Sequence, residues 1–237
     1  MITMAFRFKQ FIVEDDRSSM RVGTDAVLLG SWINPENASE ILDIGTGCGI
    51  LALMMAQKSP AYITAIDIDE VSANQASLNF QQSIWDKRLK ILHLSFQDFV
   101  KHHQDQFDLI LTNPPWFSNS LKSPRNIRNI ARHDDHLKPR DLFEGVKKIL
   151  RGNGRFYIII PADDQSSIVE IAGENNLFLN RQMMVIPKPG RKPKRILMDF
   201  TFSSPDHIIT EEMIIRREDN SFTNEYRKLT GDYYLEF

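Results

Sequence analysis

Asp43-Ile44-Gly45-Thr46-Gly47-Cys48-Gly49 is the stretch that decides the fold, because it joins an apolar strand predicted over 41–44 to a helix predicted over 50–58. A glycine-rich turn at such a junction lets backbone N–H groups and the helix N-terminus approach a ligand closely. The next predicted strand, 62–68, ends in an acidic tripeptide, where a carboxylate can accept both hydrogen bonds of a ribose. The candidate cofactor contacts are Asp43, Gly45, Gly47, Gly49, Asp67 and Ile68.

The glycine spacing distinguishes between cofactors. A dinucleotide site uses G-x-G-x-x-G to hold a pyrophosphate, whereas this chain has G-x-G-x-G with Asp43 two residues ahead. S-adenosylmethionine has no phosphate, and its amino-acid tail and sulfonium suit acidic and carbonyl groups better. The run therefore resembles the cofactor loop of class I methyltransferases. A tight strand–helix turn without a ligand is the alternative.

A second motif, Asn113-Pro114-Pro115-Trp116, follows a strand predicted over 107–112. In a parallel sheet this places it beside the cofactor loop, at the carboxyl ends of the strands. The Asn113 side-chain carbonyl and the Pro114 backbone carbonyl can each accept one hydrogen of an aromatic amine, which aims the nitrogen lone pair at a methyl group. Two prolines keep the loop rigid, and Trp116 offers a stacking face. We predict methyl transfer to an sp² nitrogen by these four catalytic residues, and Asn113 is also a candidate cofactor contact; the alternative is a rigid turn with Trp116 in the core.

The rest of the chain alternates predicted strands and helices, which is typical of parallel βαβ units. Further strands are predicted over 89–94 and 156–160, and further helices over 71–80, 138–150 and 163–174. Gly152-Asn153-Gly154 is predicted to end the helix 138–150. Strands near 182–186 and 195–202 are predicted to form a terminal antiparallel hairpin. We expect a single domain, 1–237, with an N-terminal extension, 1–39, a core, 40–237, and an insertion over 117–137.

Composition narrows the class of protein. The 237 residues are 42% hydrophobic and 25% charged, with a net charge of −2, so a nucleic-acid site must be a local patch. The single cysteine, Cys48, excludes an internal disulfide and suits a reducing cytoplasm. The sequence has neither a signal-peptide run nor a membrane-spanning stretch, and we expect a cytoplasmic monomer.

Flanking segments resemble one family more closely, the bacterial tRNA(Val) adenine-37 N6-methyltransferases. The similar segments are Phe8-Lys9-Gln10-Phe11, 20–30, Ile130-Ala131-Arg132-His133, 224–230 and Tyr233-Tyr234-Leu235. The resemblance implies a class I Rossmann-like α/β fold, with a seven-stranded mostly parallel sheet and helices on both faces. It also implies S-adenosylmethionine as cofactor and methylation of N6 of adenine 37 in the tRNA anticodon loop. The fourth position of the clamp is more often Tyr or Phe in this family, whereas this chain has Trp116 there.

The resemblance also assigns roles to residues outside the two motifs. It implies that Gly23, Thr24 and Asp25 line the cofactor pocket; the alternative is a cap before the helix that starts with Ala26. In class I methyltransferases an acidic residue after the third strand bonds the adenine amino group, and its neighbour packs on the ring. Asp98 and Phe99 hold these positions here. The alternative for Asp98 is a cap of a short helix.

RNA binding has a separate signal in the segment 188–195, which carries five cations and no acid. The candidate RNA contacts are Lys188, Arg191, Lys192, Lys194 and Arg195, with Arg125, Arg128 and Arg132 from the insertion. The alternative is an ordinary charged hairpin turn. Histidines and aspartates over 133–136 have metal-binding donors, but the proposed chemistry needs no metal, so we interpret them as a polar loop and expect no metal site.

The sequence motifs are also compatible with other functions. A protein glutamine N5-methyltransferase uses the same clamp but does not predict a basic patch. An enzyme acting on ribosomal guanine or on DNA adenine is a further alternative, and the DNA enzyme usually needs a larger recognition region. A non-catalytic RNA-binding module predicts erosion of the motifs, and a dehydrogenase predicts a different glycine spacing.

Overall fold

The computed structural model describes residues 5–18, 21–104, 106–115 and 137–236. The strands are β1 (Phe6–Arg7), β2 (Ile12–Val13), β3 (Glu40–Ile44), β4 (Tyr62–Asp67), β5 (Leu89–His93), β6 (Phe107–Thr112), β7 (Leu150–Pro161), β8 (Phe178–Ile186), β9 (Arg195–Thr201) and β10 (Ile209–Ile214). The helices are α1 (Thr24–Trp32), α2 (Ile50–Lys58), α3 (Glu70–Gln81), α4 (Phe96–His102), α5 (Pro139–Ile149), α6 (Gln165–Glu174) and α7 (Asn224–Thr230). Short 3₁₀ turns cover Asp86–Arg88 and Ala162–Asp164.

One large sheet organises these elements. Its strand order in the described residues is β10-β8-β9-β7-β6-β3-β4-β5. Every neighbouring pair is parallel except those of β9, which runs antiparallel to both β7 and β8. The predicted antiparallel hairpin is thereby confirmed as β8–β9.

The predicted count of seven strands is wrong, because β10 adds an eighth strand beside β8. This edge strand buries only Met213, so its sequence lacks the continuous apolar run that marks the central strands. The prediction that residues 152–154 end a helix is also wrong. Helix α5 stops at Ile149, and these residues lie in β7, next to a shift of register against β6.

Buried side chains cover both faces of the sheet, which explains the β-branched runs of the central strands. Helices α1, α2, α3 and α7 supply the core of one face, where Leu29 and Leu53 are fully buried. Helices α4, α5 and α6 supply the other, around Phe143 and Phe156. The result is a three-layer sandwich with helices on both faces of the sheet.

The N-terminal segment packs against the C-terminal segment on the α2 face. Phe8 forms an isolated antiparallel β-bridge with Tyr234, and the Lys9 backbone N–H donates to the Tyr233 carbonyl at 2.9 Å. The Phe8 and Phe11 rings lie 4.7 Å apart, and both make edge contacts with Tyr233. Residues 6–13 therefore share the core of the sheet; the division into one domain stays a prediction.

Candidate active site

The two sequence motifs meet at the carboxyl edge of the sheet. Strand β3 ends before the glycine loop, β6 ends before Asn113, and the two strands are parallel neighbours with Ile44 opposite Thr112. The Thr112 hydroxyl donates to the Ile44 carbonyl at 2.8 Å, which fixes one strand end against the other. The structure thus brings the glycine loop and the start of the Asn-Pro-Pro segment side by side.

Backbone geometry accounts for the glycines of the loop. Gly45, Gly47 and Gly49 have φ values of +68°, +58° and +84°, in the left-handed region that L side chains avoid. The loop is held to β4, because the N–H groups of Gly45 and Thr46 donate to the Ile66 carbonyl at 2.9 and 3.0 Å. A Cβ at Gly49 would lie 2.5 Å from the Phe80 ring. The absence of a side chain at Gly49 therefore allows the loop to pack closely against α3.

Gly45 is different, because a Cβ added there meets no atom within 4 Å. The residue is exposed at the strand end, so its missing side chain keeps open a space beside the loop backbone. Such a cradle accepts a ligand that lies against the backbone and that a side chain would displace. The loop therefore has room for a cofactor at Gly45, and the positive φ values alone also fit the alternative of a tight turn without a ligand.

Asp43 lies beneath the loop with no exposed surface. Its Oδ2 accepts a hydrogen bond from the Thr46 hydroxyl at 2.5 Å. Burial raises the pKa of Asp43 to about 7, although the Thr46 hydrogen bond acts in the opposite direction. The predicted direct cofactor contact is therefore corrected: Asp43 positions the loop from below.

Replacing Asp43 with asparagine is expected to change how stability depends on pH. An unfolded aspartate has a pKa near 3.9, so between about pH 4 and 7 the folded chain binds more protons and loses stability as pH rises. Asparagine removes this cost, and the variant should exceed the wild type by about 2–4 kcal/mol at pH 8 but not at pH 4. Urea unfolding at both pH values measures this; an equal difference at both would contradict it.

Asp67 ends β4 beside the loop, and Ile68 follows the strand. The Asp67 carboxylate accepts the N–H of Gly47 at 2.8 Å and the N–H of Asp69 at 2.9 Å, one on each oxygen. Each oxygen keeps a second lone pair for a ligand hydroxyl. Burial raises the pKa of Asp67, whereas Ile68 is half exposed and offers an apolar surface. Asp69 instead caps α3 through the N–H and hydroxyl of Ser72.

Asp98 and Phe99 do not form the predicted adenine contact together. Ser95 is the N-cap of α4, and its hydroxyl accepts from the Asp98 N–H at 3.0 Å and donates to Asp98 Oδ2 at 2.7 Å. That hydrogen bond lowers the pKa of Asp98. The alternative in which Asp98 caps the helix is wrong, because Ser95 holds the N-cap position; the adenine contact of Asp98 stays a prediction. The prediction for Phe99 is wrong, because its ring is fully buried and stacks on His103 at 4.3 Å.

The clamp begins directly after β6. Asn113 and Pro114 are half-buried and Pro115 is exposed at the sheet edge. Trp116 lies outside the described residues, as do Arg125, Arg128, Arg132 and the histidine-aspartate segment 133–136. The described part of the clamp thus contains both predicted carbonyl acceptors.

The N-terminal extension reaches the same edge at the start of α1. Helix α1 starts at Thr24, with Gly23 as N-cap and no side-chain capping bond, so the alternative in which Thr24 or Asp25 caps this helix is wrong. Asp25 Oδ2 instead accepts from Arg195 Nε at 2.7 Å. The basic segment contains no acidic residue of its own, but one of its cations, Arg195, forms an ion pair with Asp25 of the N-terminal extension.

Asn79 is a site residue that sequence reasoning missed. Its amide donates to the carbonyls of Cys48 and Glu14, at 2.7 and 2.8 Å, and accepts from the Glu14 N–H at 3.0 Å. Buried at 1% exposure, it ties the N-terminal segment to the glycine loop. The signal was present, because Ser72, Gln75 and Asn79 place polar groups on the buried face of α3.

The basic segment joins β8 to β9 at this same edge. Arg191, Lys192 and Lys194 are exposed, whereas Lys188 is half-buried and donates to the Glu218 carbonyl at 3.4 Å. Arg195 is held by Asp25. Exposed cations at the strand ends suit a polyanion that reaches the clamp.

No cluster of three or more metal-ligating side chains occurs in the ranges given above. None of the helices described is both long and apolar enough for a membrane crossing.

Comparison with known proteins identifies the fold and the family of the chain. The family model described as Methyltransferase small domain matches residues 18–169. A solved structure, a predicted O-methyltransferase from Agrobacterium tumefaciens, superimposes with a TM-score of 0.70 at 18% identity, covering 88% of this chain and 96% of that one. The expected class I Rossmann-like methyltransferase fold is confirmed, and the chain belongs to the methyltransferase family that this model describes.

Closer relatives narrow the class. A protein from Bacteroides thetaiotaomicron named tRNA1(Val) (adenine(37)-N6)-methyltransferase is 44% identical over 233 residues, covering 97% of both chains. A protein of the same name from Bacteroides fragilis is 42% identical over 231 residues, again covering 97% of both. This chain belongs to that family, which confirms the resemblance found in its flanking segments.

Proposed function

We propose that this protein transfers a methyl group from S-adenosylmethionine to N6 of adenine 37 in the anticodon loop of tRNA(Val), in the cytoplasm and as a monomer. The observation that carries the proposal is the hydrogen-bonded pairing of two strand ends. It places the glycine loop, which leaves space for a ligand at Gly45, beside Asn113. Family membership supports the same reaction.

The cofactor-binding residues follow from the loop geometry. The backbone of Gly45 and Gly47 would hold the amino-acid portion, and the remaining lone pairs of Asp67 would accept the ribose hydroxyls. The exposed face of Ile68 would pack on the adenine ring. When bound, S-adenosylmethionine supplies an electrophilic methyl group on a sulfonium.

Asn113 and Pro114 supply the clamp. An exocyclic adenine amine is a poor nucleophile, because its lone pair is delocalised into the ring. Two carbonyl acceptors that bind its two hydrogens draw the nitrogen toward tetrahedral geometry and direct the lone pair along the transfer line. The amine proton leaves after transfer, so positioning supplies most of the rate enhancement and a strong base is unnecessary.

Reversing two charges of the basic segment tests the RNA interface. Lys192→Glu with Lys194→Glu is expected to weaken tRNA binding by more than about tenfold at low salt, because both side chains are exposed cations of the basic segment. The slope of log Kd against log salt should also flatten. Titrations at several salt concentrations measure both effects, and an unchanged slope would exclude this patch from the interface.

A methylation assay tests the proposed function as a whole. Purified protein and labelled S-adenosylmethionine are incubated with bulk tRNA from a strain lacking this gene, and the digested nucleosides are analysed by mass. We expect N6-methyladenosine. If label enters a protein fraction instead of tRNA, the glutamine N5-methyltransferase replaces the proposal.

A further inference from the structure

A cavity opens beside the basic segment, and the predicted cofactor contacts Thr24 and Asp25 are among its lining residues. It has a volume of about 600 Å³ and lies between the strand ends of β8 and β9, the start of α1 and the residues around α7. Its walls include Pro187, Ile215, Lys194, Arg195 and Arg216. Ligand pockets of small molecules typically have volumes of about 300–1,000 Å³, so this cavity can take one nucleotide.

The walls combine three kinds of chemistry that a nucleotide requires. Pro187, Ile215 and Phe222 are partly exposed and supply apolar surface for a base. Three cations, Lys194, Arg195 and Arg216, can bind a phosphate, and two carboxylates, Asp25 and Glu236, can accept base N–H groups.

Two of the cations are held in place before any ligand arrives. Arg195 is bonded to Asp25 Oδ2 at 2.7 Å and to the Lys194 carbonyl at 3.0 Å. The Arg216 guanidinium lies 4.1 Å from the centre of the Phe222 ring and donates to the Asn220 carbonyl at 2.6 Å. Lys194, by contrast, is exposed at the rim.

Strand register gives the distance from this cavity to the clamp. Thr112 of β6 is opposite Ile158 of β7, and Pro161 of β7 is opposite Arg195 of β9. From Asn113 to Arg195 the path crosses two strand spacings, from β6 to β7 and from β7 to β9, of about 4.8 Å each, and rises by two residues of about 3.3 Å each along the strands. These perpendicular displacements combine to a distance of about 12 Å. A stacked RNA strand covers that distance in about three to four nucleotides.

We propose that this cavity binds one unpaired nucleotide of the substrate RNA, within about four positions of the methylated adenine. The proposal rests on the proposed function for the identity of the RNA. It adds a specificity site in which the base enters the apolar part of the cavity while its phosphate meets Lys194 and Arg216. An unpaired loop nucleotide can enter at little cost, since no base pair must open.

The test uses the full chain and stem-loop RNAs of the tRNA(Val) anticodon arm, each abasic at one loop position other than the methylated adenine. Binding is measured by fluorescence anisotropy with S-adenosylhomocysteine present. For the wild type, one abasic position should raise Kd by about tenfold, the loss expected for one stacked base. Pro187→Trp, which fills the cavity, should raise Kd about tenfold for intact RNA and abolish the further loss at that position.

Matched variants separate the cavity from the surrounding surface. Pro189→Trp is the control, because Pro189 is exposed in the same segment and does not line the cavity. Lys194→Glu and Lys192→Glu form a second pair that decides the question if Pro187→Trp does not fold. Both should weaken binding to every RNA, but only Lys194→Glu should reduce the abasic effect at that position.

The cavity proposal would be overturned if the two variants of each pair showed the same Kd changes across the abasic RNAs. It would also be overturned if the loss caused by each variant simply added to the abasic loss at every position. Methyl transfer to intact stem-loop RNA is measured in parallel. Binding without transfer would refute the proposed function and leave the cavity testable by binding. Transfer without any position-dependent loss would refute the cavity alone, and no binding by the wild type would refute both.

Discussion

Replacing Asn113 with alanine is expected to lower kcat for tRNA methylation by about 10²–10³-fold, the loss typical of removing one preorganised polar group from a transition state. The alanine variant keeps the Pro114 carbonyl but lacks the side-chain acceptor for one amine hydrogen. The lone pair of the amine then stays delocalised, and the transfer line is no longer enforced. The Kd of S-adenosylmethionine should change little, because the loop residues that would hold it are untouched. Single-turnover transfer and cofactor titration measure the two effects.

Asn153→Ala is the matched control, because Asn153 is an exposed asparagine near the start of β7, away from the carboxyl ends of the strands. It should retain wild-type transfer and cofactor affinity. A large loss of cofactor affinity in Asn113→Ala would show that Asn113 belongs to the cofactor pocket rather than to the clamp. Near-wild-type transfer would exclude it from catalysis.

The order of the central elements was predictable because local sequence patterns determine them. Strands β3, β4 and β6 are apolar on both faces and are followed by helix signals or the clamp, so the predictions over 41–44, 62–68 and 107–112 fall on the observed strands. Strand β10 was missed, because an edge strand with one buried side chain has no such pattern. The residues at 152–154 were misinterpreted, because glycines next to a register shift resemble those that end a helix.

The site was predictable where a motif lies on one loop and unpredictable where partners come from distant segments. The adjacency of the glycine loop and Asn113 followed from parallel-sheet topology. The Asp25–Arg195 pair joins residues 170 positions apart, and Asn79 reaches Glu14 across 65 positions. Phe99 was misplaced because the start of α4 had to be known before its buried face could be assigned.

Replacing Gly45 with alanine is expected to weaken S-adenosylmethionine binding by roughly 5- to 150-fold while costing the cofactor-free protein little more than backbone strain. The new methyl group meets no protein atom within 4 Å, so it would enter the space reserved for the cofactor. Overpacking by such a group costs about 1–3 kcal/mol, which sets the expected range. Calorimetric titration measures the affinity, and urea unfolding measures the strain.

Gly190→Ala provides an unusually close control. Gly190 has the same φ of +68° and likewise no atom within 4 Å of an added Cβ, but it lies in the basic segment. Alanine in this conformation costs about 1–2 kcal/mol at either position. Both variants should therefore lose similar stability, and only Gly45→Ala should lose cofactor affinity. Since strain is matched, equal affinities in the two variants would mean that the cofactor does not lie against Gly45, and the cradle assigned to this loop would be wrong.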